Sequence, residues 1–417
     1  MYNKGKVHTY ATSINAEKLF GANTVTKTWP AVINDVVAYT ERENIVNITT
    51  LNNEGIVDIN KYTLVNVNTA LDNKIAGSVI KVIGTGASTI DGRMDVKGTS
   101  KNEGVIDNTG VVNFNASSLD NNGLFIDRQN GQVGGKKVDN GTATGTTSKT
   151  YGALTYSTDL GKAGIYVAQV ETSARFEKVL SDAVDEPSTV IVEILGSDAT
   201  YNLEEFAKTL NTKDVYVNSA TPITFTSYKT VNSKKVPTES VFGHCVTVLK
   251  DSELNANAGT LSTIAAVNIQ KDAIFEMNEE LVDDVNITNV TVGTNLNNNG
   301  STLNNAALFT VNSNLNNNAT GSFTNETAFL VKGNVVTSGT FDSNGTPNTV
   351  KGNFTQNDGN VTFAPKSTTT IEGTFSSIAG RFEREGLNGG SAYRATVNVN
   401  TLGTLTGTTT TAWPTEY

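Results

Sequence analysis

Val292-Gly293-Thr294-Asn295-Leu296, Val311-Asn312-Ser313-Asn314-Leu315, Val331-Lys332-Gly333-Asn334-Val335 and Val350-Lys351-Gly352-Asn353-Phe354 are four renderings of one phrase. Ile371-Glu372-Gly373-Thr374-Phe375 is a fifth, with Thr in place of Asn. Their leading apolar residues stand 19, 20, 19 and 21 positions apart. Backward, Ile269 and Val248 extend the series at intervals of 23 and 21; forward, Val397 or Val399 closes it after 26 or 28. A period near 20 signals a solenoid. Leucine-rich repeats share this length but need a dense Leu framework that is missing here. Within each repeat, segments such as Thr310-Val311-Asn312 and Thr349-Val350-Lys351 alternate polar and apolar residues, as strands do. Several short strands per coil, divided by Asn/Gly turns, predict a parallel β-helix (β-solenoid) over residues 236–400. Its coils would stack about 4.8 Å apart.

Composition agrees with that pattern. The 417 residues include 51 Asn, 61 Thr and 37 Gly. All three are poor helix formers, so a mainly β protein is expected. Asn tolerates left-handed backbone geometry and Gly adopts it freely, which suits both to corners between strands. Asn295, Asn314, Asn334 and Asn353 are therefore expected in one column, with their side-chain amides bonded along the axis as a structural ladder. Phe309, Phe323, Phe329, Phe354 and Phe375 suit either a stacked core column or a sugar-binding platform, and the usual burial of aromatics favours the core.

Charge and cysteine usage exclude several classes. A net charge of −10 without a basic stripe argues against a nucleic-acid partner. No window approaches the roughly 18 apolar residues of a membrane-spanning helix, so membrane insertion is not expected. A single cysteine, Cys245, forbids an intrachain disulfide framework.

The rest of the chain reads in blocks. Residues 1–40 are expected to be an N-terminal assembly segment. No apolar stretch of about 7 to 15 residues follows Met1, so no secretory leader is read within the sequence. A leader lying outside it, and release without one, as for phage structural proteins freed by lysis, both stay open. Asn53-Glu54-Gly55-Ile56-Val57-Asp58, Asn102-Glu103-Gly104-Val105-Ile106-Asp107 and Asn121-Asn122-Gly123-Leu124-Phe125-Ile126-Asp127 repeat a turn-then-strand unit. They predict a β-rich, solenoid-like segment over 41–130, with a β-sandwich as the alternative. Residues 131–160 are rich in Gly, Thr and Ser and read as a polar loop or linker. Residues 161–235 read as an α/β cap: strand 164–170, helix 173–183, strand 189–194, a capping box at Asn202–Phe206 opening a short helix through Leu210, then strand 214–217. Residues 401–417 form a C-terminal tail.

With its helix at 173–183, strand at 189–194 and coils beyond, the stretch from about 160 to 400 resembles the right-handed parallel β-helix, or pectate-lyase-like, superfamily. Its texture is similar to Asn/Thr-rich bacterial surface β-helices and phage fibre proteins. The resemblance implies a short helix plugging the open end of the coils, which would shield strand edges and apolar core. It also implies a choice of function, since fold alone does not fix one.

Polysaccharide-cleaving members carry clustered acids, often with His, Arg or calcium. The best acidic pair here is Asp283-Asp284, and adjacent strand residues point to opposite faces. The hydrolase branch's Gly-His-Gly and Arg-x-Lys signatures are missing; the only histidines are His8 and His244. His244 and Cys245 are neighbours, but a lone Cys is usually a packing residue. Asp91-Gly92-Arg93-Met94-Asp95, Asp120-Asn121-Asn122-Gly123 and Asp342-Ser343-Asn344-Gly345 contain fragments of calcium-loop chemistry without the full run of oxygen ligands, and Asx turns account for them. Gly84-Thr85-Gly86 opens no helix pattern, so a phosphate cradle is not expected. The expectation is a non-enzymatic structural or adhesive β-solenoid subunit of an extracellular assembly on a virion or bacterial surface. It would need no cofactor, self-associate as an oligomer or filament, and take a cell-surface glycan as candidate ligand. A polysaccharide lyase or glycoside hydrolase is the alternative. Ice binding is a more distant reading, because Thr positions keep no strict Thr-x-Thr register.

Overall fold

A computed structural model describes residues 2–3, 6–9, 44–86, 89–181, 188–196, 200–205, 210–384 and 395–408. The fold is mainly β, built from long parallel sheets of short stacked strands, as expected for a β-solenoid. The chain divides into two compact units. The first comprises Met1–Val170 with Ala174–Val192, the second Glu193–Tyr417 with Glu171–Ser173.

In the second unit each coil contributes three short strands. One coil reads Leu308–Val311, Leu315–Asn317 and Ser322–Asn325; the next reads Phe329–Val331, Val335–Thr337 and Thr340–Ser343. Equivalent strands pair in parallel from coil to coil. Val292 pairs with Val311, Val311 with Val331, Val331 with Val350, Val350 with Ile371, and Ile371 with Val399. The column read from the repeat is thus real, and Val399 rather than Val397 closes it. Val248 and Ile269 do not belong to it. They pair with each other, and Ile269 pairs with Asn298 in the neighbouring strand column. The cause is a hairpin, Leu281–Val282 with Val285–Asn286, inserted between Ile269 and Asn298. It stretches that coil to 29 residues and shifts the phase.

The alternation of each strand sends every second residue inward. Val292, Val311, Val331 and Val350 are fully buried, as are Leu296, Leu315, Val335, Phe354 and Phe375 in the next column. The phenylalanines form a continuous core stack. Phe323 and Phe341 lie parallel with centroids 5.0 Å apart, Phe341 meets Phe354 edge-on at 5.1 Å, and Phe354 meets Phe375 at 5.5 Å. With these rings buried, a sugar platform built from them is excluded.

The first unit repeats the principle with other residues. Val57, Ile80, Ile106, Phe125 and Tyr166 occupy successive rungs of one column, and Val46, Val65, Met94, Val112 and Val133 those of another. The 41–130 segment is therefore solenoidal and not a sandwich. Coils are irregular in length because insertions leave at the corners. The stretch 131–160, expected as loop or linker, contains strands. Gln132–Gly135 pairs with Val111–Phe114, Val138–Asp139 pairs with Leu119–Asn121, and Thr147–Tyr151 and Leu154–Thr158 form an antiparallel hairpin. Polar composition concealed them, since the only buried large apolar residues there are Val133, Val138 and Tyr156.

The helix forms at Ser173–Ser181 and buries Phe176, Val179 and Leu180. Arg175 ties it to the first unit, donating to Asp127 and to the Gln169 carbonyl. That anchorage is to the front coils. Where a helix through Leu210 is expected, the described residues form two 3-10 segments, Leu203–Glu205 and Leu210–Thr212. Residues 206–209 lie outside the described residues. So do most of the expected assembly segment, apart from Tyr2–Asn3 and Lys6–Thr9, and the last residues of the tail. Thr396–Leu405 continues the stack into that tail.

Candidate functional site

The corners decide which side chains remain available for function. At the Gly-x-Asn corner, Asn295 Oδ1 accepts from the Asn314 main-chain N–H at 3.0 Å. Asn314 Oδ1 accepts from Asn334 N at 2.9 Å, Asn334 Oδ1 from Asn353 N at 2.8 Å, and Asn353 Oδ1 from Thr374 N at 2.9 Å. The four asparagines are aligned as read, but the bonds differ from expectation. Each side chain caps the backbone of the next coil instead of the next amide. The bend leaves no room for a larger residue before Asn353: a Cβ on Gly352 would lie 2.7 Å from the Gly333 carbonyl and 2.5 Å from Asn334 Oδ1.

Amide-to-amide ladders do exist, and several are buried. In the first unit Asn53 donates to Asn73 at 2.8 Å, Asn73 to Asn102 at 2.7 Å, Asn102 to Asn121 at 2.8 Å and Asn121 to Asn140 at 2.8 Å. Asn140 ends the run on the Ser188 carbonyl. In the second unit Asn298 donates to Asn317 and Asn317 to Thr337, while Asn304 donates to Asn325 and Asn325 to Asn348. A buried amide must have its bonds met, and stacking meets them with identical neighbours. The signal for the first-unit ladder lay in the Asn-x-Gly openings at Asn53, Asn102 and Asn121.

The residues singled out for chemistry are dispersed and engaged. Asp283 and Asp284 occupy a tight turn with positive φ (51° and 65°), and Asp283 is paired with Lys234. His244 Nδ1 lies 3.1 Å from Asp214 Oδ1, which also accepts the Cys245 N–H at 3.1 Å; Cys245 Sγ accepts from Asn268. His8 lies on strand Lys6–Thr9, in register with Asp58. Gly84-Thr85-Gly86 does form an anion-holding loop, but its occupant is internal. Thr85 N and Gly86 N donate to the two carboxylate oxygens of Asp91 at 2.7 and 2.9 Å. Asp95 is bonded by Arg93 and Asn113, each at 2.7 Å. Asn122 donates to Asp120, and Ser343 bonds within the buried ladder. Asp342 points outward on a half-buried site where desolvation, reinforced by Glu326 and countered by a hydrogen bond from Thr362, holds its carboxyl above the usual range.

Two clusters escaped the sequence reading, because their bonded members lie 19 to 48 residues apart with no local motif. Arg128 clamps Asp107 through two bonds, at 2.7 and 3.0 Å. The Tyr151 hydroxyl, on the 147–158 hairpin, also donates to Asp107; desolvation first, then the Asp107 charge and this bond, push its pKa up to about 12. A phenol so shifted is a poor proton donor, and the cluster pins the hairpin to the coils. Deeper, Asp127 receives Arg175 and Asn108. Burial pushes its carboxyl up against the pull of that guanidinium.

What remains outward-facing is largely uncharged and periodic. Asn268, Asn297 and Asn316 stand in one column, linked amide to amide at 2.8 Å; Val336 takes the next rung, followed by Thr355 and Ser376. Thr310, Leu330, Thr349 and Thr370 occupy another, with Thr310 itself buried. Compared with known proteins, the chain matches no family model, no curated protein and no solved structure.

Proposed function

We propose that this chain is a structural or adhesive β-solenoid subunit of an extracellular assembly, acting without catalysis. Either a phage fibre, tail or decoration protein or a bacterial surface filament or adhesin fits. Within that reading we place the coils in the right-handed pectate-lyase-like superfamily. The observation that carries the proposal is the pair of Asn and Thr columns, each interrupted once, by Val336 and by Leu330. Hydrogen-bonding groups on most rungs, about 4.8 Å apart along a rigid stack, suit a repetitive partner, such as a surface glycan or another subunit. The engagement of Asp91, Asp95, Asp107 and Asp127 in structural bonds supports the non-catalytic part. A panel of acidic glycans tests it: binding without release of reducing ends or unsaturated products is the expected result. Turnover of any member would replace this reading with a polysaccharide lyase or hydrolase.

A further inference from the structure

Two antiparallel hairpins leave the second unit at the same corner of its coils. The first, Tyr228–Val231 with Lys234–Pro237, follows strand Ile223–Thr226. The second, Leu281–Val282 with Val285–Asn286, follows strand Ile274–Met277. These two preceding strands belong to one sheet, separated by Glu253–Ala256. The hairpins reach across that intervening coil. Lys234 Nζ lies 2.8 Å from both oxygens of Asp283, and Lys235 Nζ lies 2.6 Å from Glu280 Oε1.

Val231, Val236, Leu281 and Val285 on these hairpins are 50, 43, 54 and 62% exposed. They make up four of the ten exposed large apolar residues among those described. A solvent-facing concentration of this kind marks an interaction surface. Its charges say what covers it. The first hairpin holds Lys229, Lys234 and Lys235 and no acid; residues 279–286 hold Glu279, Glu280, Asp283 and Asp284 and no base. The patch is thus split into a basic and an acidic half around an apolar centre. A two-fold axis through it would lay each half on the opposite half of an identical surface, the self-complementary arrangement of an isologous contact. The Lys234–Asp283 pair does not oppose this, because its members are 61 and 70% exposed and ion pairs so exposed contribute little; Lys235–Glu280, at 39 and 28%, and Lys229–Glu204 stay within one copy.

We propose that this hairpin patch is the site at which a second copy of the chain docks, with the basic hairpin of one copy on the acidic hairpin of the other. The inference rests on the self-association reading and names its surface. Sedimentation equilibrium of the full chain tests it. Wild type is expected to self-associate, more weakly as salt rises, and Leu281→Asp with Val285→Asp is expected to weaken association at least tenfold. Ile264→Asp, an exposed apolar residue at another corner, is expected to leave association unchanged. Under mild oxidation, a mixture of Val236→Cys and Val285→Cys chains is expected to cross-link far more than either alone. Self-association unaffected by the Asp pair would overturn the patch while leaving the assembly reading intact. A wild-type chain that stays monomeric would overturn both, and equal cross-linking of the separate and mixed variants would overturn the two-fold arrangement.

Discussion

Asn73 donates its side-chain amide to Asn102 Oδ1 at 2.7 Å, both residues fully buried and separated by 29 positions in the chain. Asn73 also donates to the Val105 carbonyl and accepts from Asn53. Replacement by Ala strands the Asn102 acceptor and a buried carbonyl, while the Asn53 amide keeps its bonds to the Gly55 and Val79 carbonyls. Each unmet group costs about 1–3 kcal/mol, so Asn73→Ala is expected to lose about 2–6 kcal/mol. Asn334→Ala, at the exposed corner, removes a single bond and is expected to cost about 1 kcal/mol. Urea unfolding of the two variants side by side checks the contrast; equal losses would contradict it.

Phe341 touches rings on both neighbouring coils, stacking on Phe323 and meeting Phe354 edge-on. Phe341→Ala is expected to cost about 3–5 kcal/mol through lost burial and the cavity left behind. Phe341→Leu should recover much of that. If both variants melt like wild type, the aromatic column is not a source of stability.

Tyr151 gives a pH-dependent prediction. Its pKa is pushed up to about 12, above the value near 10 of an unfolded chain. The folded state therefore holds that proton more tightly. The associated stability is present below pH about 10 and is lost as pH rises toward about 12. Tyr151→Phe, which cannot ionise, is expected to show a shallower decline than wild type over this interval. Parallel declines in thermal melts would remove the proposed role of the Asp107 contact.

Asp342 has the opposite consequence at neutral pH. Its carboxyl is held above the usual range, chiefly by desolvation, so ionisation favours the unfolded chain. Asp342→Asn is expected to raise the melting temperature at pH 7 and to have little effect below the carboxylate range. A variant destabilised at pH 7 would show that the charge is satisfied by contacts other than those described.

The sequence made the fold legible where the period was undisturbed. Val292, Val311, Val331 and Val350 could be aligned because their coils hold no insertions. Val248 and Ile269 were displaced by one strand column because the hairpin at 281–286 adds a detour of unmarked length, and apolar alternation is the same on either column. The repeat assigns the asparagines to corners and carries no mark of which ones face solvent. Composition could not distinguish Asn334, which caps a solvent-facing backbone, from Asn102, sealed among identical neighbours. The Asp107–Arg128–Tyr151 cluster had no local signal at all, since topology alone joins those positions.

The assembly claim is tested most directly by mass photometry of the full chain across a wide concentration range. The account predicts discrete multimers that grow with concentration. A single species with the mass of one chain at every concentration would contradict it.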